Sequence, residues 1–186
     1  MNKILKLTIV LFLVCAIVAG VLGVVNELTK DTIAEQQRIK TERAYAAVLA
    51  SDGYTEVACD KAAFPSIDAI SECTNGAGHV VMTTFTGAQG KITMAVGVDT
   101  DYKCTGISII SHSETSGLGA NAASSAEVGV NWRAQFVGED KTVAITKAGG
   151  NIDALAGATI TSRSVAEATA PAIVAVESLG YGGTAE

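Results

Sequence analysis

The chain has 186 residues, 48% of them apolar and 17% charged, and its 19 acidic against 13 basic residues leave a net charge of −6. Residues 1–26 hold two of the basic residues and no acidic ones, so the remainder carries 11 basic and 19 acidic residues, a net of −8. That excess argues against a nucleic-acid-binding face and disfavours docking to anionic lipid.

The mean hydropathy of +0.35 is high for a wholly soluble protein, and its source is local. From Ile4 to Val25 the run is broken only by Lys6, Thr8 and glycines. As a helix, 22 residues span about 33 Å, enough to cross the hydrocarbon core. A cleaved signal peptide has a shorter apolar core and a small-x-small cleavage site. Here Val21-Leu22-Gly23-Val24-Val25 continues the run, so residues 1–26 read as an uncleaved anchor. Val14 before Cys15 argues against a lipoprotein box and leaves Cys15 as a residue of the membrane helix. Lys3 and Lys6 place the N-terminus in the cytoplasm and the rest of the chain on the extracytoplasmic side, although Lys30, Arg38, Lys40 and Arg43 weaken that asymmetry.

Residues 27–50 read as a connecting stalk helix, with Thr32-Ile33-Ala34-Glu35 spaced as a capping box. Residues 51–186 read as one domain. Its first part, 53–78, shows little periodicity and is expected to be loop with a short helix near 66–72. The runs "HVVMTTFT" and "KITMAVGVD" flank Gly87-Ala88-Gln89-Gly90, and Ile92, Met94, Val96 and Val98 alternate. This predicts a hairpin with one buried face. "YKCTGISIIS" adds a third strand and "KTVAIT" a fourth; "HSETSGLGANAAS" reads as loop and "EVGVNWRAQF" as a short helix or irregular segment. A last helix is expected from about Thr161, with Val165, Ala168, Ala172, Val176 and Leu179 on one face and Pro171 forcing a kink or restart. The fold class is α+β, one antiparallel sheet behind a single N-terminal transmembrane helix.

The cysteines and histidines show no metal-ligand spacing: there is no CxxC pair, and only His79 and His112 are present. Cys59 and Cys73 lie 14 apart in a turn-rich segment and are candidates for a disulfide, which leaves Cys104 alone.

Two stretches carry candidate chemistry. In "NIDALAGATITSRSV", Gly157 and Ala158 leave the backbone uncrowded around Thr159, just before a helix whose free N–H groups and positive dipole end suit a phosphate. Arg163 could add a charge-assisted contact. The bland alternative is that Thr161 or Ser162 caps the helix. In "SHSETSGLGAN", His112 and Glu114 end a strand before Gly117-Leu118-Gly119, where glycines allow a flat ring to approach the backbone; a plain solvated turn is the alternative.

Taken together, the anchor, then "HSETSGLG", then "DALAGATITS" resemble the covalent-FMN subunits of membrane redox complexes. These are the G subunit of the Rnf complex and the C subunit of the sodium-pumping NADH:quinone reductase, and the compact length resembles the former more. The family pattern has proline where this chain has Ser116 and serine where it has Ala156. The resemblance implies that Thr159 forms a phosphoester with FMN. It further implies that Asp153, Gly157 and Ala158 belong to the stretch recognised by a flavin transferase, with Thr161 and Ser162 in the same motif. The loop with Glu114, Thr115, Gly117 and Leu118 would lie near the flavin. The implied role is electron relay within a ferredoxin:NAD oxidoreductase that moves Na⁺ or H⁺, beside other membrane subunits, notably the D subunit. No catalytic residue or metal is implied, and the chain by itself is not a self-sufficient catalyst. A membrane-anchored adhesion or pilin-like module and a flavin-based sensor are the rival readings from other classes.

Overall fold

A computed structural model describes residues 3–180. The chain divides into two compact units, residues 1–40 and 41–186.

In the first unit the backbone is helical throughout its described part, as the beginning of α1 (Lys3–Val48). The apolar run is long enough to cross a membrane, and its side chains are exposed. No new helix starts at Thr32: the backbone is already helical on both sides, so "TIAE" lies within α1 and does not cap it. Beyond the apolar run, Glu27 pairs with Lys30 and Glu35 with Arg38 at helical i, i+3 spacing, the second pair at 2.9 Å.

The second unit is built on five antiparallel strands, β1 (Tyr54–Val57), β2 (Ile67–Cys73), β3 (Gly78–Thr86), β4 (Lys91–Asp99) and β5 (Cys104–His112), joined in sequence order as a meander. The β3–β4 hairpin runs without a register break from Gly78↔Asp99 to Thr86↔Lys91. The β4–β5 ladder shifts at Thr93/Met94 and again at Gly97/Val98. Helices α2 (Glu127–Ala134) and α3 (Thr159–Ser178) complete the unit, with short 3-10 turns at Gly119–Ala123 and Thr146–Ala148.

Both faces of the sheet are covered, so the central strands read as nearly continuous apolar runs. On one face Val81, Met94, Val96 and Val98 pack with Val165, Ala172, Ile173 and Val176 of α3 and with Trp132 and Phe136. On the other, Val80 and Ala95 pack with Ala44, Tyr45 and Val48 from the last turns of α1. Burying each such aliphatic side chain contributes roughly 1.5–3 kcal/mol. Thr105 Oγ1 donates to Val48 O at 2.6 Å, and a Cβ on Gly97 would lie 2.8 Å from that same carbonyl. The close approach of helix to sheet therefore requires glycine at position 97.

Two expectations about the strands are overturned. Residues 67–73 form β2, not a helix, because Ile70 and Ser71 pair with Val81 and Val80, a partner strand that local periodicity does not reveal. "KTVAIT" is not a strand of the sheet. Ile145 makes only an isolated parallel bridge to Ile152, while Val143 and Ile145 plug the core. Their alternation records burial without a ladder. In α3, which begins at Thr159, the helix does not restart at Pro171 but continues through it. Proline costs a ladder bond there, but Ala168, Ala172, Ile173 and Val176 hold the segment against the sheet.

Cys59 and Cys73 are not bonded. Cys59 packs against the α3-covered core and Cys73 lies in the cluster on the opposite face, so the sheet separates them. Cys104 is buried in the first core, and loss of water pushes its thiol up to about 12.

Candidate functional site

The two motifs meet at one cavity. Its walls come from the β3–β4 turn (Ala88, Gln89), the loop after β5 (Glu114, Thr115, Leu118) and the start of α3 (Gly157 to Thr161), and it encloses about 410 Å³. Ligand cavities generally run from about 300 to 1,000 Å³.

The approach to α3 is shaped by a tight turn. Gly157 has φ +71, and a Cβ there would lie 2.8 Å from Leu118 Cδ2. Ala158 N bonds to Leu155 O, and Ala158 stands at the N-cap with no side chain capping the helix. Thr161 and Ser162 therefore sit inside the first turn and do not cap it. Thr159 is the first helical residue, half-buried, on the cavity wall. Helix starts carry N–H groups with no intrahelical acceptor, which favour an anion.

Ser162 faces inward. Its hydroxyl accepts from Leu155 N and donates to Ala158 O, both at 3.0 Å, and so braces the turn before Thr159. It does not line the cavity, and neither does Gly117, whose φ of +77 instead lets the loop reverse direction. The remaining site residues expected from sequence, Gly157, Ala158, Thr159, Thr161, Glu114, Thr115 and Leu118, all line it. Asp153 holds the segment in place through its backbone: its N–H donates to Gln135 Oε1 at 2.7 Å and its carbonyl accepts from Trp132 Nε1 at 2.9 Å. Its carboxylate is exposed, as is Arg163.

Glu114 joins the three walls. Its Oε2 accepts from Thr161 Oγ1 at 2.6 Å and its Oε1 from the backbone N–H of Gln89 at 3.1 Å. Its own N–H donates to His112 Nδ1 at 3.3 Å. The carboxylate is packed from two sides, since a Cβ on Gly87 would collide with Oε1 and one on Gly119 with Oε2.

Sequence reasoning missed the part played by Ala88 and Gln89. Gly87-Ala88-Gln89-Gly90 signalled only a turn, and nothing local indicates that it reaches the loop 25 residues later.

Known proteins resemble both parts of the chain. A family profile for an FMN-binding domain matches residues 87–174, and one for the RnfG N-terminal region matches residues 1–48. The G subunit of the ion-translocating oxidoreductase complex of Methanosarcina acetivorans is 40% identical over 103 residues, 53% of this chain and 51% of the relative. The chain thus spans about half the length of that relative. Longer matches are made to the G subunit of the Na(+)-translocating ferredoxin:NAD(+) oxidoreductase complex of Acetobacterium woodii and to the G subunit of the ion-translocating oxidoreductase complex of Photorhabdus laumondii. The first is 32% identical, covering 86% of this chain and 85% of the relative. The second is 30% identical, covering 84% and 82%. Among solved structures, the C subunit of the Na(+)-translocating NADH-quinone reductase from Parabacteroides distasonis shares the fold, with a TM-score of 0.50 at 20% identity, over 79% of this chain and 84% of that one. An FMN-binding domain behind an RnfG-type N-terminal helix, matched over most of its length to G subunits, establishes that the chain belongs to the family of G subunits of ion-translocating oxidoreductase complexes.

Proposed function

We propose that the chain is the flavin-carrying electron relay of a membrane-bound ferredoxin:NAD oxidoreductase that translocates Na⁺ or H⁺. In this reading FMN is held through a phosphoester to Thr159. The observation that carries it is the placement of Thr159: a half-buried hydroxyl at the start of α3, on the wall of a cavity of about 410 Å³, behind a turn kept narrow by Gly157.

The residues present fit FMN. The helix start suits the phosphate, Glu114, Thr115 and Thr161 offer polar contacts, and Ala88, Leu118, Ala158 and Ile160 offer apolar surface to a ring. When bound, FMN supplies the uptake and release of electrons, while the protein positions it. Attachment from FAD would form the Thr159 Oγ1–phosphorus bond, break the pyrophosphate bond and release AMP and the hydroxyl proton. A flavin transferase would catalyse this step, reading the exposed stretch around Asp153. Ser162 and Trp132 hold that stretch in shape from inside.

The apolar part of α1 would anchor the chain in the cell membrane, with the N-terminus cytoplasmic and the domain outside, beside the complex's other membrane subunits, notably the D subunit. The test is intact mass and in-gel flavin fluorescence of the full chain co-expressed with a flavin transferase, compared with Thr159→Ala. The expected outcome is a fluorescent band with the added mass of one FMN, both absent from the variant. A wild-type chain of unmodified mass would sink the reading.

A further inference from the structure

A second cavity, of about 590 Å³, lies away from the flavin motifs, where the last turns of α1 face the edge strand β1. Tyr45, Tyr54 and Ser71 line it, and the exposed residues Glu42, Asp52 and Glu56 bring carboxylates to it. No basic side chain lines it among the described residues.

An acidic rim by itself is a solvated surface; the floor distinguishes this cavity. Tyr45 and Ser71 are only 8% and 6% exposed. Their hydroxyls bond to each other, and such a pair holds two protons but uses one, so one O–H is left to donate to an occupant. Tyr54 is fixed as well. Its hydroxyl donates to Leu49 O at 2.8 Å, and its ring stands at 79° to that of Tyr45 with centroids 5.2 Å apart. Glu56 lies opposite Ser71 in the β1–β2 register, which puts its carboxylate on the same sheet face as Tyr54.

We propose that this cavity is a docking site for an arginine carried on a segment of another subunit of the complex. This rests on the reading above of the chain as one subunit of a membrane assembly. The size calls for a segment, since 590 Å³ is the share of about twenty waters and far more than one ion fills. The chemistry calls for arginine. A guanidinium is flat and weakly hydrated, and it packs on tyrosine while its N–H groups reach carboxylates; a lysine ammonium is a strongly hydrated point charge. The spare hydroxyl proton suits a backbone carbonyl of the same segment. The charge is complementary, because the chain beyond residue 26 carries a net of −8.

The experiment uses the whole complex, purified in mild detergent through a tag on this chain. A benzophenone residue is placed at Ala46, which is exposed and lines the cavity. After irradiation the cross-linked peptides are identified by mass spectrometry, with and without Asp52→Asn and Glu56→Gln together. Both changes keep the side-chain shape at exposed positions, so the melting temperature should stay close to wild type. The expected result is a cross-link to another subunit, on a stretch containing an arginine. Its yield should fall roughly tenfold in D52N/E56Q, and likewise when the partner's arginine is replaced by glutamine. A cross-link to a stretch without arginine or to a second copy of this chain overturns the proposal, as does no cross-link or a yield unaffected by D52N/E56Q. Should D52N/E56Q melt low, the partner's arginine-to-glutamine change decides, an unchanged yield overturning the site and a tenfold loss supporting it. If no other subunit accompanies the wild-type chain, the subunit reading itself falls and this inference with it.

Discussion

Thr161 donates its hydroxyl to Glu114 Oε2 at 2.6 Å, a buried bond between residues 47 positions apart. It fastens the loop after β5 to the first turn of α3. Two motifs that are separate in the chain thereby become two walls of one cavity. Most of what can be tested about this protein follows from that junction and from the glycines that leave room for it.

Replacing Gly119 by alanine should disturb the junction directly. The new Cβ would meet Glu114 Oε2 and lie 2.6 Å from Thr161 Oγ1, in a buried position with little freedom to adjust. A loss of about 1–3 kcal/mol in urea unfolding is expected, as for other overpacked sites. In a Glu114→Ala background the same change should cost less, because the nearest colliding atom, Glu114 Oε2, is gone and Thr161 Oγ1, released from its bond to it, can turn aside; additive costs would refute the steric account.

Gly157→Ala tests the turn before Thr159, the proposed attachment residue. Its φ of +71 is a left-handed conformation, which costs an L-residue about 1–2 kcal/mol. The contact with Leu118 Cδ2 should add little, since Leu118 is exposed and can move. Expected outcomes are a lower unfolding midpoint and a smaller flavin-loaded fraction by intact mass. An unchanged midpoint would show that the turn tolerates a side chain.

Trp132→Phe should loosen the segment before Thr159 from a distance. The indole N–H donates to Asp153 O, and the ring packs edge-on against Phe136 with centroids 5.2 Å apart. Phenylalanine retains most of the packing and loses the hydrogen bond, at a cost of about 1 kcal/mol. Trp132 is the only tryptophan, so unfolding is followed by circular dichroism. Proteolysis within residues 153–157 should accelerate in the variant; equal rates would mean that Trp132 does not brace the segment.

Cys104 predicts an alkaline loss of stability. Burial raises its pKa from an ordinary value of 9.0 to about 12, so above pH 9 the unfolded chain releases a proton that the folded one keeps. The contribution is intact below pH 9 and falls as pH rises towards 12. The stability difference between wild type and Cys104→Ala should therefore shrink from pH 8 to pH 10.5. Taking the difference cancels the raised pKa values of Tyr45 and Tyr54, which bias either protein alike. A constant difference would refute the assignment.

Several elements were legible because their signals are local. The β3–β4 hairpin follows from alternation around Gly87–Gly90, and the buried stripe of α3 from helical spacing at Val165, Ala168, Ala172 and Val176. The apolar run of α1 is visible from composition alone. The first two strands were not legible, because "YTEV" and "IDAISEC" become strands only by pairing with each other and with β3. "KTVAIT" misled for the complementary reason: its apolar residues are needed in the core, but the sheet offers them no edge.

By itself the amino-acid order singled out the candidates for chemistry: a threonine among small neighbours at a helix start, and a glutamate in a glycine-rich loop. Periodicity, residue size and turn chemistry are local properties, and they are written in the order of the chain. Only the tertiary structure decided that Glu114 spends the Thr161 proton, that Ser162 braces the turn from behind, and that the Gly87–Gly90 turn closes the third wall. Those facts depend on which groups meet across dozens of residues. Hydrogen-bond direction and steric fit exist only once the partners are in contact.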